Sequence, residues 1–470
     1  LTPKQRSVVN LLFDIGTAGV DEICEFCSVG KAVLNNLEKY GVIAFFDKQI
    51  YRTPYKVSDN ETNCSEIELS HKQNNAYQTF LNMINGEGGS GLLFGVTGCG
   101  KTQVYLKLID RVIEQGRDVI VLVPEIGLTS QALAIFHKRY GSKVAVVHSG
   151  LSLGERNDEY KRIDSGDAKI VVGTRSAVFA PVHNLGLIVM DEEQENTYKS
   201  ERTPRYSAKE VANFRAKYNK ALFLMTSATP SIESYSSAVS GKIQLCEIDE
   251  RFGESKLPEV VTVDMKAEIK NGNRTPVSAK LKEYLQETLD NNKQAILLIN
   301  RRGYNTFIAC TDCGNVITCP SCSISLTYHS YSNRLVCHYC GYTKRLDNKC
   351  PECGSENIRY SGYGTQRIED ELAALFPEAK ILRMDADTTS SKFSHDKLFK
   401  AFKNHEYDIL IGTQMVAKGL DFPDVTLVGV VNADNSLYDE NYNSSERCFD
   451  LITQVIGRSG RRDDKGLAVI

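Results

Sequence analysis

Leu92-Leu-Phe-Gly95-Val-Thr-Gly98-Cys-Gly100-Lys101-Thr102 decides the fold. An apolar strand runs into GxxxxGKT, and a helical pattern follows through Gln115. Strand, glycine loop and helix in that order make a P-loop. Gly95, Gly98 and Gly100 let backbone N–H groups wrap phosphates at a helix N-terminus, Lys101 reaches the outer phosphates, and Thr102 suits magnesium. The expected ligands are therefore ATP and Mg2+.

Outward from this loop, near-continuous apolar runs at Val119–Val123, Val144–Val147, Ile170–Val172, Leu187–Met190 and Leu222–Met225 alternate with longer polar–apolar stretches. Such runs predict a parallel sheet covered on both faces. Ile296–Ile299, Ile381–Met384, Ile409–Ile411 and Leu427–Val431 predict a second one. The fold class is α/β with two parallel-sheet lobes. Leu187–Met190 delivers Asp191-Glu192-Glu193-Gln194 to the tip of the first sheet; Asp191 suits the magnesium shell and Glu192 suits orienting or deprotonating the attacking water. Near the end stands Gln454-Val-Ile-Gly-Arg458-Ser-Gly-Arg461. Its two arginines, one helical turn apart, can face a triphosphate held by the other lobe, an effect of roughly 10³- to 10⁵-fold in rate. The catalytic set is thus Lys101, Asp191, Glu192, Gln454, Arg458 and Arg461.

Eight of the fourteen cysteines form Cys-x-x-Cys pairs: Cys310/Cys313, Cys319/Cys322, Cys337/Cys340 and Cys350/Cys353. Two pairs close a tetrahedral thiolate shell, so four pairs predict two zinc ions. Fourteen residues separate Cys322 from Cys337, whereas five separate Cys313 from Cys319. That spacing favours a nested arrangement, with Cys319, Cys322, Cys337 and Cys340 inside and Cys310, Cys313, Cys350 and Cys353 outside. Cys24 and Cys27 form a lone pair in a helical pattern and read as structural thiols.

With 470 residues and 41% hydrophobic content, the chain has room for several cores. No run approaches eighteen apolar residues and no signal-peptide pattern opens the chain, so a cytoplasmic protein without membrane contact is expected. A formal net charge of −3 leaves nucleic-acid contact to local patches and backbone amides. Leu1 at the start and an apparent strand at Leu467–Ile470 suggest that both ends are cut. Residues 1–56 show three short helical patterns, with Val8, Leu11, Leu12 and Ile15, then Val20–Cys27, then Val33, Leu34, Leu37 and Tyr40. A hairpin through Val42–Phe46 and Gln49–Arg52 follows, turning at Asp47-Lys48. This outline is a winged helix, which reads equally as a DNA-groove reader and as a spacer or protein contact. Residues 57–66 read as a linker.

These elements in this order resemble the superfamily 2 helicases, with RecA-like lobes, and the cysteine module brings the chain closest to the PriA family of bacterial primosomal replication-restart helicases. Supporting stretches are Val123–Thr129, His148-Ser-Gly150, Gly173-Thr-Arg-Ser176, Thr226-Ser-Ala-Thr-Pro230, Asn300–Tyr304, Gly362–Thr365 and Gly412–Asp421. The resemblance implies that Gln73 lies in the adenine-recognising segment and that Thr174, Arg175 and Thr413 contact DNA. It also implies that Thr226–Thr229 couples the ATP and DNA sites. Tyr198 to Tyr206, with Arg205, stands in the place of the family's aromatic-rich loop, where rings and guanidinium planes stack on bases. Gln194 replaces the family's usual histidine. Its amide is expected to bridge toward Thr226 or Ser227.

The resemblance implies an ATP-dependent helicase translocating 3′ to 5′ on single-stranded and forked DNA, partnered by primosome proteins and single-stranded DNA-binding protein. A fork-binding assembly platform with a dispensable ATPase is the competing reading. Expected domains are a winged helix at 1–56, a linker at 57–66, lobe 1 at 67–240 and lobe 2 at 241–470, with the zinc insertion at 308–356.

Overall fold

A computed structural model describes residues 1–46, 66–124, 130–252, 256–273, 275–299, 307–310, 312–329, 334–337, 340–345, 347, 349–361, 365–384, 394–413, 416, 422–438, 441–460 and 465–470. The chain forms two compact units, Leu1–Arg52 and Thr53–Ile470. In the first, α1 (Pro3–Ile15), α2 (Val20–Phe26) and α3 (Lys31–Lys39) follow one another. Thr2 and Gln5 close a capping box around the start of α1, with Pro3 in the first turn where no N–H is needed. Val8, Ile23, Val29, Leu34 and Leu37 form the core. Tyr40, expected on the apolar face of α3, instead stands just past its end and is exposed. The expected return strand Gln49–Arg52 and the linker from 57 to 65 lie outside the described residues.

The second unit opens with α4 (His71–Asn85) and continues through β1 (Gly89–Gly95), α5 (Lys101–Glu114), β2 (Asp118–Leu122), α6 (Ser130–Tyr140), β3 (Val144–Val147), α7 (Leu153–Asp164), β4 (Ile170–Gly173), β5 (Leu185–Asp191), α8 (Ala208–Tyr218), β6 (Leu222–Ser227), α9 (Ile232–Val239) and β7 (Gln244–Ile248). The strands form a parallel sheet in the order β3-β4-β2-β5-β6-β1-β7. Successive side chains point to opposite faces, so Val119 and Val121 join a core with α4–α6 while Ile120 and Leu122 join one with α7–α9. This lobe runs past the expected boundary at 240, because β7 pairs with β1 from Gly91↔Gln244 to Gly95↔Ile248. Only Ile248 of this edge strand is buried, so no apolar run announced it.

Lobe 2 begins with β8 (Glu259–Val261), α10 (Met265–Lys270), α11 (Ala279–Asp290) and β9 (Gln294–Ile299). A cysteine-rich module then interrupts it, built on β10 (Phe307–Cys310), β11 (Thr327–His329), β12 (Arg334–Val336), β13 (Thr343–Arg345) and β14 (Ile358–Ser361). These lie in the order β13-β12-β11-β10-β14, antiparallel throughout. Because β14 pairs with β10, the module extends past its expected end at 356. The lobe resumes with α12 (Thr365–Leu375), β15 (Ile381–Met384), α13 (Ser394–Lys403), β16 (Ile409–Gly412), β17 (Val425–Val431), α14 (Ser444–Ile456) and β18 (Leu467–Val469). Its parallel sheet has the order β15-β16-β9-β17-β18-β8. Among the described residues, no helix is long and apolar enough to cross a membrane.

Candidate functional site

Parallel strands deliver their carboxyl ends to one edge of the first sheet, where the P-loop after β1, Thr174 after β4, Asp191 at the end of β5 and Ser227 at the end of β6 collect. Gly98 and Gly100 both adopt φ +81°, a left-handed backbone that side chains disfavour. Lys101 Nζ donates to the carbonyls of Gly95 at 2.7 Å and Val96 at 3.3 Å, holding its charge at the loop. Gln73 is fully buried. Its Oε1 accepts from the Ser70 N–H at 2.8 Å, closing the α4 capping box, and its Nε2 donates to the Cys99 carbonyl at 2.8 Å. In this arrangement the carboxamide braces the P-loop.

Asp191 Oδ1 accepts from the Thr226 hydroxyl and from the Glu192 N–H at 3.2 Å. Burial, followed by the neighbouring Glu192 charge, pushes the Asp191 carboxyl up to about 6, against the opposing pull of Thr226 and Lys101. The Tyr105 phenol interacts with both Thr102 and Asp191; burial and then the Asp191 charge hold its pKa well above the ordinary value. The hydroxyl and carboxylate expected at magnesium therefore converge around one side chain, and this oxygen donor set suits that hard cation.

Glu192 Oε2 accepts from Gln194 Nε2 at 2.8 Å and from Gln454 Nε2 of α14 at 3.4 Å. Gln194 Oε1 accepts from the Ser227 hydroxyl at 2.6 Å, and Ser227 Oγ accepts from the Thr229 N–H at 2.8 Å. The acidic motif, the Thr226–Thr229 segment and lobe 2 thus share one hydrogen-bonded path, with the Gln194 amide at its centre. Glu193 had no expected role. Its buried carboxylate accepts from Lys209 at 2.6 Å and the Ser231 N–H at 2.7 Å, tying the acidic motif to α8 and to the start of α9. Lobe 2 also presses its Gly457 backbone against the P-loop, so closely that a Cβ there would collide with the Thr97 side chain. Arg458 follows directly, while Arg461 lies outside the described residues.

The surface expected to meet DNA divides. Arg175 donates to the carbonyls of Thr197 at 3.2 Å and Lys199 at 2.6 Å, and its guanidinium lies 5.8 Å from the Tyr206 ring centroid. Phe179, unforeseen because a single aromatic in a short apolar run gives no signal, meets Tyr206 edge to face at 4.8 Å and is half exposed. Arg205 is exposed beside them. Tyr198 departs from expectation. Its ring is 4% exposed and its hydroxyl donates to the Leu122 and Asp191 carbonyls at 3.0 and 2.6 Å, so here it cannot offer a face to a base. Thr174 is also buried, its N–H bonded to the Val147 carbonyl at 3.1 Å, whereas Thr413 is half-buried at the end of β16.

The cysteines gather in the nested pairing, Cys310, Cys313, Cys350 and Cys353 in one cluster and Cys319, Cys322, Cys337 and Cys340 in the other. Sulfur separations of 3.6 Å for Cys310–Cys353, Cys313–Cys350 and Cys319–Cys340 exclude disulfides. They lie close to the roughly 3.8 Å edge of a tetrahedron with zinc–sulfur bonds near 2.3 Å, so the thiolates fit zinc. One backbone device repeats at each knuckle. The N–H four residues after Cys310, Cys319, Cys337 and Cys350 donates to that cysteine's carbonyl at 2.8–2.9 Å.

Family comparison agrees with this geometry. Residues 66–232 match the type III restriction enzyme res subunit family, 319–345 the PriA DNA helicase Cys-rich region domain, and 355–463 the helicase conserved C-terminal domain. The replication restart protein PriA of Bacillus subtilis is 47% identical over 99% of this chain and 58% of its own length. That of Synechocystis is 40% identical over 99% and 57%. The PriA protein of Chlamydia pneumoniae is 36% identical over 98% of the chain and 62% of its own length. The chain spans about three fifths of the length of these relatives. Among solved structures, the DUF1998 helicase MrfA bound to DNA matches 89% of this chain and 51% of its own, with a TM-score of 0.52 at 15% identity, a likeness of fold. With these sequence matches and the paired cysteine clusters beside a P-loop lobe, the chain belongs to the PriA replication restart family.

Proposed function

We propose that this chain is the motor of an ATP-dependent DNA helicase that translocates 3′ to 5′, engages stalled or branched replication forks and opens duplex for primosome assembly. The observation that carries it is the meeting of the lobes at the nucleotide site, with Gln454 bonded to Glu192 and Gly457 packed on the P-loop. A nucleotide held between lobes couples hydrolysis to their opening and closing. Lys101 would bind the outer phosphates, Glu192 would orient or deprotonate the attacking water, and Arg458 with Arg461 would stabilise charge developing on the transferred phosphoryl group. Thr102 and Asp191 would hold magnesium, which supplies phosphate charge neutralisation when bound. Gln73 would fix the adenine-side wall through its brace on the loop.

Arg175, Phe179, Arg205 and Tyr206 would grip single-stranded DNA by stacking and charge, with Thr174 and Thr413 on the backbone path. Two zinc ions would order the cysteine module, a platform for other primosome proteins and single-stranded DNA-binding protein. The N-terminal unit would complete a winged helix. Such a machine works in the cytoplasm.

The test is ATP turnover with and without forked DNA, alongside strand displacement with ATP and with a nonhydrolysable analogue. DNA-stimulated turnover and ATP-dependent displacement are expected. Fork binding with displacement indifferent to hydrolysis would overturn the motor reading in favour of an assembly platform.

A further inference from the structure

The residues that directly follow β7 lie against the P-loop. Beyond the β7 ladder, the Ile248 carbonyl accepts from the Val96 N–H at 3.1 Å and the Phe252 N–H donates to the Gly98 carbonyl at 3.0 Å, so residues 248–252 follow the P-loop. Lys72 pins the same segment from outside, bonding Glu250 at 2.7 Å and also Asp249. Between these anchors, Arg251 turns the other way.

Arg251 is 8% exposed. One guanidinium nitrogen donates to the carbonyls of Ser459 at 3.0 Å and Gly460 at 2.7 Å, and the other to Gly457 at 3.1 Å. These carbonyls lie at and just beyond the C-terminus of α14, where the helix dipole favours a cation. The planar fork spans several acceptors at once through charge-assisted bonds to carbonyls. The loop it grips carries Arg458 and leads to Arg461. Backbone contact with the P-loop and side-chain contact with the arginine loop therefore come from adjacent residues.

We propose that Arg251 is a positioning residue for phosphoryl transfer: a clip that seats the arginine-bearing loop of lobe 2 against the P-loop, so that the transition state, more than the bound nucleotide, feels its loss. This rests on the reading of the chain as an ATP-driven motor. Arg251 acts through the loop and touches no nucleotide itself.

The full chain carrying Arg251→Ala or Arg251→Lys tests it. Lysine keeps the buried charge but presents a single ammonium where the fork reaches the Lys256 carbonyl and three carbonyls of the arginine-bearing loop. In both variants ADP affinity, read with a fluorescent analogue, should stay within about threefold of wild type. DNA-stimulated kcat should fall about tenfold or more with little change in KM, and ADP–aluminium fluoride should dissociate about tenfold faster or more. Arg251→Lys should also melt within a few degrees of wild type, separating positioning from folding. Wild-type kcat in both variants would overturn the clip, as would parallel loss of ADP affinity and kcat in Arg251→Lys, which marks a deformed P-loop. If the wild-type chain itself fails to turn over ATP, the motor reading falls separately. Amide exchange at 457–460 then decides: faster exchange in Arg251→Ala supports the clip, and unchanged exchange overturns it.

Discussion

Lys101 holds its ammonium against the Gly95 carbonyl at the mouth of the P-loop, where outer phosphates would replace that weak neutral partner. Lys101→Ala should lower ATP turnover by about 10²-fold or more, the loss typical of removing one preorganised charge-stabilising donor, with DNA affinity retained. Turnover near wild type in a steady-state assay would remove the P-loop assignment. Asp450 offers a different kind of test. Burial, then the Glu446 charge, raises its carboxyl to about 7 against a contact with Thr229 in the other lobe. A raised folded pKa means the folded chain holds a proton that the unfolded chain has lost. This contribution to stability is complete below about 4, declines as pH rises, and is gone above about 7. Asp450→Asn mimics the protonated form. Its melting temperature relative to wild type should climb between pH 5 and 7 and level off above; a flat difference would show that Asp450 titrates normally. Lys101 was legible because its chemistry lies in a contiguous motif, whereas Tyr198 was not: exposed and buried tyrosines read alike until tertiary packing tethers the hydroxyl to Leu122 and Asp191.

The four cysteine knuckles repeat one backbone turn, and one of them lacks the glycine that the other three place after the second cysteine. The residue four after the leading cysteine is Gly314, Gly341 or Gly354 at φ +71°, +76° and +71°, but Ser323 at φ +57° in the knuckle that starts at Cys319. All four need a left-handed residue to return an N–H to the cysteine carbonyl, and serine adopts it at a cost of about 1 kcal/mol relative to glycine. Ser323→Gly should therefore slow chelator-driven zinc release from the inner cluster, and Gly341→Ser should speed it. A colour-forming chelator assay that finds no change in either variant would show that the knuckle turn does not limit metal retention. The nested pairing was legible from spacing because fourteen residues between Cys322 and Cys337 leave room for a zinc module, whereas five between Cys313 and Cys319 make a cramped loop. β7 was not, since an edge strand with one buried residue lacks the apolar run that marks central strands. Arg251 was equally hidden, one charge among several in a connecting segment, with partners some two hundred residues away.

Across the whole molecule, the lobes communicate through side chains that sequence proximity does not join. Gln454 reaches Glu192 from α14, Gln194 bonds Glu192 and Ser227, and Ser227 accepts from the Thr229 N–H, so a change at the nucleotide can reach the carboxyl edge of β6 by a short polar route. Glutamine can occupy the centre of this route because its amide donates toward the carboxylate and accepts from the hydroxyl, the same two-sided chemistry a neutral imidazole would supply. Alanine supplies neither. Gln194→Ala leaves Glu192 and Ser227 in place but unconnected, and each lost bond in a half-buried site costs about 1 to 3 kcal/mol. Because Glu192 and Lys101 remain, basal turnover should change little, while stimulation by single-stranded DNA should drop by about tenfold. Gln194→His should restore most of it, since the ring can donate on one side and accept on the other. Turnover measured across a DNA titration separates the outcomes. Stimulation unchanged in Gln194→Ala would mean that coupling passes instead through Arg175, whose bonds to the Thr197 and Lys199 carbonyls give the loop proposed to meet DNA a second connection to the sheet edge.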